Sequence, residues 1–281
     1  MFAPPSISSD VHAAGIRSSD SAALPRTVID AMRIEHEAGK VVAEHDHAQG
    51  QLAFVLKGAL TIISAEGWWV APPGQAVWVP PHLLHEARYS KNSVLIKVLL
   101  DLQRGAGLPQ TCRVLSVSPL MRELALAAVD CLTVQTQSAV PASEGLLPLI
   151  MPLLVETIRT ADDWAFLHVP QAQDSRLRLA IDYIWQHLQG RLEMAELARV
   201  AHCSERTLAR LFSTETGLSP GQLRERLRLI RALELLAQGY SVTQTALEVG
   251  YSSPTSFSSM FSRVMGLSPR SYLQRMAGYS G

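Results

Sequence analysis

The sequence predicts an α+β fold, with an N-terminal β-barrel, a helical connector and an all-α C-terminal domain that contains two helix-turn-helix units. Three observations carry this prediction. Short apolar segments separated by Gly, Pro and charged turns occupy residues 21–110, helical apolar spacing follows over residues 118–165, and a nine-residue sequence recurs near the C-terminus. With 281 residues, of which 47% are hydrophobic, the chain is long enough for about two domains with buried cores.

Composition divides the chain into five segments. They are a flexible, Ser- and Pro-rich N-terminus (1–20), a β-rich domain (21–110), a helical connector and dimerisation region (111–165), a linker (166–173) and the all-α domain (174–281). The N-terminus lacks the apolar core of a signal peptide, and no stretch approaches the roughly 18 apolar residues of a membrane span. Cys112, Cys131 and Cys203 lack metal-type spacing, so we expect reduced thiols and a cytoplasmic protein with no membrane partner.

The β-rich domain is predicted from short apolar segments with turn residues between them. These segments are residues 52–56, 60–64, 68–71, 76–79 and 94–100. Strands of this length at short intervals are typical of a compact barrel or sandwich. Aromatic side chains on such strands, Trp78 among them, line either a ligand pocket or the core.

Histidines occur in the β-rich domain at a recognisable spacing. The two segments read Gly39-x5-His45-x-His47-x3-Gln51-x6-Gly58 and Gly74-x5-Pro80-x4-His85. Since residues two apart on a strand project from the same face, His45 and His47 should point together into the barrel, and His85 should complete a three-nitrogen set from another strand. This spacing resembles the two motifs of the cupin family, and the resemblance implies a cupin-like barrel with a ligand site.

Two interpretations of this site stay open. In the first, His45, His47, Gln51 and His85 bind a divalent transition metal (zinc, nickel, iron or manganese). Gln51 stands where metal-binding cupins usually have Glu, and its neutral amide removes the anionic ligand that would offset a divalent charge. In the second, no cofactor is bound, and His45, His47, Gln51, Trp78 and His85 form a polar pocket for a small-molecule effector.

Residues 118–165 predict two helices with aliphatic stripes. One stripe contains Leu120, Leu124, Ala127, Ala128 and Cys131, and the other contains Leu146, Ile150, Leu153, Leu154 and Ile158. Apolar residues at this spacing line one face of a helix. We expect these faces to pack on the barrel or against a second subunit, and the second arrangement would give a homodimer.

The C-terminal repeat predicts two copies of one supersecondary unit. FSTETGLSP at residues 212–220 recurs as FSRVMGLSP at residues 261–269, and upstream apolar positions match in the same register. Each copy is predicted to be a helix, a short turn and a second helix, with Ser204 and Ser241 as N-caps and Gly250 in the second turn. The glycine of each GLSP, Gly217 and Gly266, is expected to end the second helix, and Asp174 is expected to cap the helix that precedes the first copy. A repeated buried pattern with different exposed residues indicates that the two copies present different surfaces.

The second helix of a helix-turn-helix unit can enter the major groove of DNA. The outward residues are Ser204, Glu205, Arg206, Arg210 and Ser213 in the first unit, and Ser253, Thr255, Ser256, Ser259 and Arg263 in the second. Arg can bind guanine bidentately, and short hydroxyl side chains allow close approach to bases and phosphates. The alternative is an ordinary solvated helix face, which the tandem copy disfavours.

Charge is distributed unevenly along the chain. There are 25 basic and 25 acidic residues in total, but residues 172–281 hold thirteen Arg, no Lys and nine acidic residues, a net charge of +4. The remaining residues therefore carry −4. This basic excess favours double-stranded DNA as a partner, with an affinity that falls steeply with salt.

The C-terminal domain resembles the double helix-turn-helix domain of AraC/XylS-type transcription regulators. The resemblance is strongest in the second unit, where ALEVGYS at residues 246–252 precedes Phe257, Phe261 and the GLSP of residues 266–269. The long helix that links the two units in this family corresponds to residues 220–238. The resemblance implies a sequence-specific transcription regulator and not an enzyme, an activator with RNA polymerase as a partner, a small-molecule effector and a homodimer. Members often have several basic residues after the last aromatic, where this chain has only Arg263.

Two other functions stay open on the sequence alone. A metal-dependent cupin enzyme fused to a DNA-binding module would need the histidine set, a metal and open coordination positions, and Gln51 disfavours it. A metal-free barrel would instead serve only as a dimerisation scaffold.

Overall fold

The computed structural model describes residues 28–90, 92–101, 107–137 and 146–277. The expected flexible N-terminus, residues 1–20, lies outside these ranges. The strands are β1 (Val28–His36), β2 (Val41–His45), β3 (Gly50–Lys57), β4 (Leu60–Ser64), β5 (Gly67–Ala71), β6 (Gln75–Val79), β7 (His85–Tyr89), β8 (Ser93–Leu100), β9 (Arg113–Ser116) and β10 (His168–Pro170). The helices are α1 (Pro119–Gln137), α2 (Leu147–Arg159), α3 (Ser175–Gln186), α4 (Met194–Val200), α5 (Glu205–Leu211), α6 (Pro220–Ala237), α7 (Val242–Glu248), α8 (Pro254–Met265) and α9 (Pro269–Ala277).

The strands form two antiparallel sheets that share one apolar core. Sheet A has the order β1-β8-β3-β6-β9, and sheet B has the order β10-β5-β4-β7-β2. Every predicted apolar segment lies within a strand, so the α+β class and the β-rich N-terminal domain are confirmed. The predicted apolar segments do not include β1, β2, β9 and β10, which are edge strands, or β7, whose residues alternate between buried and half-buried. Of these, strands at His45 (β2) and His85 (β7) were expected only from the histidine spacing. Such strands lack the continuous apolar run that marked the central ones.

Side-chain alternation on sheet A separates two apolar cores. Ala53 and Val55 of β3 face sheet B, whereas Leu52 and Phe54 lie on the other side and pack with α1 and α2. This is the two-residue period of a strand that is buried on both faces. Full burial of one such large side chain is worth roughly 1.5–3 kcal/mol. The second core therefore holds the helical connector against sheet A.

The two predicted connector helices are confirmed as α1 and α2, but the predicted stripes are only partly buried. Leu124 and Leu154 are buried against sheet A, whereas Leu120, Leu146 and Leu153 are exposed. The reason is that α2 is aliphatic around most of its circumference, and only one face of it can contact the sheet. Within the described ranges, none of the helices has the length and apolar content needed to cross a membrane.

The segment predicted as a linker, residues 166–173, is partly built into sheet B. Residues 168–170 form β10 and pair with β5, where His168 lies opposite Trp69 and the two rings stack at 4.4 Å. Gly67 permits this close approach, since a Cβ there would lie 2.3 Å from the Val169 carbonyl oxygen. A free linker is therefore wrong for these residues, because the buried Val169 side chain anchors the strand in the core.

The helical domain confirms the predicted start and stop signals. Asp174 caps α3, Ser204 caps α5, and Ser241 caps α7 with a capping box to Gln244. Gly217 and Gly266, the glycines of the repeated GLSP, both adopt the left-handed conformation that ends a helix. The repeated sequence is therefore a helix-stop signal present in both units. One feature was not predicted, a π-helical turn over Phe212–Thr216 that extends α5.

Candidate nucleic-acid interface and effector site

The first recognition helix, α5, presents two arginines to solvent. Arg206 and Arg210 lie four residues apart, one helical turn, on the exposed face of α5. Neither guanidinium forms an ion pair with another described side chain. Glu205 and Ser213 are exposed on the same unit. The first unit therefore offers two free, planar donor groups for bases or phosphates.

Several predicted hydroxyl contacts already have a structural role. The Ser204 Oγ accepts a hydrogen bond from the Thr207 backbone N–H, and the Ser253 Oγ accepts one from the Ser256 N–H. Ser256 in turn donates its hydroxyl to the Ser253 carbonyl oxygen. These residues build the N-termini of α5 and α8, the ends that approach bases in a helix-turn-helix. Of the predicted hydroxyl residues, Thr255 and Ser259 of α8 are exposed and form no such bond with the described residues.

Arg263, the predicted cationic contact of the second unit, is paired within the protein. Its guanidinium lies 2.6 Å from the Glu225 carboxylate of α6. Arg263 belongs to the last turn of α8, at the opposite end from the N-terminal residues that read bases in a helix-turn-helix. The two units are therefore unequal, since the first has two unpaired arginines and the second has a hydroxyl-rich surface.

A set of contacts that was not predicted from the sequence fixes the second unit to the linking helix and to the loop after α3. The Arg228 guanidinium of α6 donates to the Leu188 carbonyl oxygen from Nε at 2.9 Å and from a terminal nitrogen at 2.6 Å. The same guanidinium lies 5.1 Å from the centroid of the Tyr251 ring. Gln189 donates to the Glu248 carbonyl oxygen at 3.1 Å. The loop after α3 thus binds both the linking helix and the second unit.

The three predicted histidines come together at the edge of sheet B. His45 of β2 is paired with His85 of β7, and their rings lie 4.4 Å apart between centroids. The His47 ring lies 5.2 Å from that of His85 and 6.2 Å from that of His45. The expectation that His45 and His47 share one strand face is wrong, because β2 ends at His45 and His47 lies in the following turn.

Hydrogen bonding fixes which nitrogen of each ring carries the proton. The Nδ1 atoms of His45, His47 and His85 lie 2.9, 2.6 and 2.8 Å from the backbone carbonyl oxygens of Ala43, Gln49 and Leu83. A carbonyl oxygen only accepts, so each Nδ1 donates and each neutral ring keeps its lone pair on Nε2. The Nε2 atoms of His47 and His85 are buried, and no described residue forms a hydrogen bond with either of them. They are acceptors that a bound ligand can satisfy.

The donor chemistry of this set suits a transition metal, but the placement is incomplete. Metal-binding histidines commonly donate their second ring nitrogen to a carbonyl oxygen, as these do. Yet within the described ranges no group of three or more His, Cys, Asp or Glu side chains is arranged to hold a metal ion. The side chains come close together without forming a ready-made metal site.

Burial keeps two of these histidines neutral. Burial lowers the pKa of His85 to about 4, against the opposing effect of its hydrogen bond to the Leu83 carbonyl oxygen, and the nearby Lys97 ammonium lowers it slightly further. Burial is also the main reason that the pKa of His47 is lowered. Near neutral pH both rings are therefore hydrogen-bond acceptors at Nε2 and not cations.

The thermal stability of the protein is expected to fall as the pH drops from about 6.5 towards 4. The unfolded chain protonates His47 and His85 near their ordinary pKa, whereas the folded chain holds them neutral. The unfolded state thus binds more protons in this range, so acid favours unfolding. Melting temperatures measured across this range should show a shallower decline for His85→Gln than for the unaltered protein. His187→Gln, a substitution at an exposed histidine, is the control, and its melting temperature should decline with pH as steeply as that of the unaltered protein.

The remaining predicted pocket residues lie on opposite faces of sheet A. Gln51 is buried at the start of β3, on the same face as Ala53, which points into the core between the sheets. Trp78 lies on the other face of β6, fully buried against the connector helices, and its Nε1 donates to the Pro109 carbonyl oxygen at 2.8 Å. The structure therefore does not bring Trp78 together with the histidines. The reason is the one-residue alternation of β6, which turns Val77 and Val79 inward instead.

Comparison with known proteins supports this division of the chain. An AraC-like ligand binding domain matches residues 31–147, and a helix-turn-helix domain matches residues 197–275. The HTH-type transcriptional regulator NimR of Escherichia coli strain K12 is 34% identical over 239 residues, which are 84% of this chain and 84% of NimR. The HTH-type transcriptional activator RhaS of Escherichia coli strain SE11 is 35% identical over 106 residues, which are 37% of this chain and 38% of RhaS.

Solved structures match either the C-terminal part or most of the chain. The DNA-binding domain of AdpA, a global transcriptional factor in complex with a target DNA, is 32% identical with a TM-score of 0.33. The match covers 36% of this chain and 91% of that domain. ToxT from Vibrio cholerae O395 is 11% identical over 89% of this chain and 98% of its own, with a TM-score of 0.38. On the sequence matches to both domains and to NimR, the chain belongs to the AraC-type family of HTH transcriptional regulators, with an AraC-like ligand-binding domain before the DNA-binding domain.

Proposed function

We propose that the protein binds a specific operator in double-stranded DNA and activates transcription in response to a ligand held by the histidine set. The proposal of DNA binding rests on Arg206 and Arg210, two exposed arginines of α5 that form no ion pair with the described residues. Arg228 holds the second unit in place beside them. Mobility shifts of the full chain with DNA fragments selected from its source genome test the proposal. Binding that weakens steeply with salt supports it, and failure to bind any fragment at low salt contradicts it.

The proposed effector supplies hydrogen-bond donors to the buried Nε2 atoms of His47 and His85. A small molecule with N–H or O–H groups does so directly, and this class is favoured because the rings are not arranged around a metal position. A divalent transition metal is the second candidate, supported by the common tautomer of the three rings. Elemental analysis of the purified protein beside a His45→Ala/His47→Ala variant separates the two. Equal metal content in both proteins excludes a metal at this site.

The proposed dimer interface is the exposed aliphatic face of α2. Leu146, Leu149 and Leu153 are 62%, 67% and 52% exposed and recur at positions i, i+3 and i+7, so they form one stripe. Burial of this stripe against the same stripe of a second chain removes it from water and gives a symmetric pair.

Leu149→Glu combined with Leu153→Glu is expected to convert the dimer into a monomer, because each carboxylate would have to be buried without a partner. Light scattering gives the mass directly. The control is Leu179→Glu, which places the same charge at an exposed leucine of α3. An unchanged mass in the double variant would place the interface elsewhere.

Activation is proposed from two relatives, NimR, which is named a transcriptional regulator, and RhaS, which is named a transcriptional activator. The same relatives favour a regulator over an enzyme. An activator would contact RNA polymerase at the promoter. Transcription in vitro from a promoter beside the selected operator should rise when the protein is added, and a fall would make it a repressor.

A further inference from the structure

A groove lies between the linking helix α6, the second recognition helix α8 and the segment that leads into β10. Its floor is one face of α6, formed by Gln222, Glu225, Arg226 and Leu229, which recur at positions i, i+3, i+4 and i+7. Phe166 and Val264, the latter on α8, also line the groove. The groove encloses about 560 Å³ of space, part of it open to solvent. It is separate from the histidine set, with which it shares no residue.

The groove contains an arginine without a counter-ion. Arg226 is half-buried, and this burial lowers the pKa of its guanidinium. One terminal nitrogen donates to the His168 carbonyl oxygen. Within the described part of the chain, no carboxylate pairs with Arg226. Since a guanidinium has five N–H donors, most of its hydrogen-bonding capacity is left for a ligand.

The charge and lining of the groove define the ligand that fits it. The second arginine, Arg263, is paired with Glu225 at 2.6 Å, so the positive charge of Arg226 stays uncompensated. Phe166, Leu229 and Val264 supply apolar surface beside it. A planar guanidinium binds a carboxylate bidentately, and an apolar wall favours an apolar body on the same molecule. The groove is therefore complementary to a small amphipathic carboxylate.

We propose that this groove is a second ligand site, specific for small carboxylates with an apolar chain. A carboxylate bound to Arg226 contacts the helix that links the two DNA-binding units. Arg226 also joins α6 to β10 of sheet B, and Val264 belongs to the second recognition helix. A ligand in the groove therefore contacts Phe166, two residues before β10 of sheet B, and Val264 of the second unit.

Isothermal titration of the full chain with octanoate tests the proposal without DNA, so its outcome is independent of the proposed operator binding. Octanoate should bind, whereas acetate, which lacks the apolar chain, and 1-octanol, which lacks the charge, should bind at least tenfold more weakly. Equal binding of octanoate and 1-octanol would overturn a carboxylate site.

Substitutions place the ligand within the protein. Arg226→Gln keeps a donor for the His168 carbonyl oxygen but removes the charge, and it should weaken octanoate binding by roughly tenfold or more. Glu225→Gln removes the acid of the groove and should tighten binding by roughly two- to fivefold, a gain that general destabilisation would not produce. Arg224→Gln, on the same helix but bound to the Gly190 carbonyl oxygen outside the groove, should leave binding unchanged. Octanoate affinity that is unaffected by Arg226→Gln but lost in His47→Ala would overturn the proposal and place the ligand at the histidine set of the β-rich domain.

Discussion

Gly250→Ala is expected to destabilise the DNA-binding domain by roughly 2 to 6 kcal/mol, through left-handed backbone strain and a steric clash together. Gly250 has φ of +83°, in the turn of the second unit. A Cβ there would lie 2.5 Å from the Gln189 Cα and 2.7 Å from both the Leu188 carbonyl oxygen and an Arg228 terminal nitrogen. The methyl group would thus separate the contacts that fix the second unit to the rest of the domain.

Gly266→Ala in the same unit is the matched control. Gly266 also has a positive φ, +70°, but a Cβ there meets no atom within 4 Å. Its substitution should cost only the backbone strain, roughly 1 to 2 kcal/mol. Urea unfolding followed by circular dichroism measures both variants. Equal losses of stability would mean that the packing of Leu188 and Arg228 against Gly250 contributes nothing.

Arg206→Ala is expected to weaken operator binding by roughly 1 to 3 kcal/mol, and Arg206→Ala with Arg210→Ala by more. Both side chains are exposed on α5, and neither is paired with a described carboxylate that would have to be released before DNA binds. By contrast, Arg263 must give up its ion pair with Glu225, so Arg263→Ala should have the smaller effect. Mobility-shift titrations of the full chain on one operator fragment at fixed salt give these differences.

Arg191→Ala controls for the loss of one positive charge. Arg191 is exposed before α4 and lies beside Glu193, away from both recognition helices in the sequence. It should change affinity by much less than Arg206→Ala. Equal effects of the two substitutions would show that α5 contributes only general attraction to DNA.

Local patterns were sufficient to predict the helical domain. The caps at Asp174, Ser204 and Ser241 and the helix stops at Gly217 and Gly266 depend on short-range hydrogen bonds and on φ preferences. Such features are determined by residues three or four positions apart, so they can be seen in the sequence.

Long-range features were the ones that sequence reasoning missed. The face of sheet A on which a β6 side chain lies depends on the register in which β6 pairs with β3. A shift of this register by one residue would exchange the two faces, and the observed register places Trp78 on the face that packs against α1 and α2. The Arg228 contact joins residues forty positions apart, and the Arg263 pair joins residues thirty-eight positions apart. The residues next to Arg228 and Arg263 in the sequence do not indicate these distant partners. The histidine set was found because its spacing is distinctive, but the role of the turn that holds His47 required the structure.

We propose that one polypeptide reads two successive major-groove segments of its operator, one with each recognition helix. Hydroxyl-radical footprinting of the full chain, on a fragment selected from the source genome, tests this arrangement. For each bound chain we expect two protected segments centred about 34 Å apart, one turn of the DNA helix, with the segment contacted by the first unit weakened in Arg206→Ala. A single protected segment for each chain, unchanged by Arg206→Ala, would contradict recognition of DNA by both units.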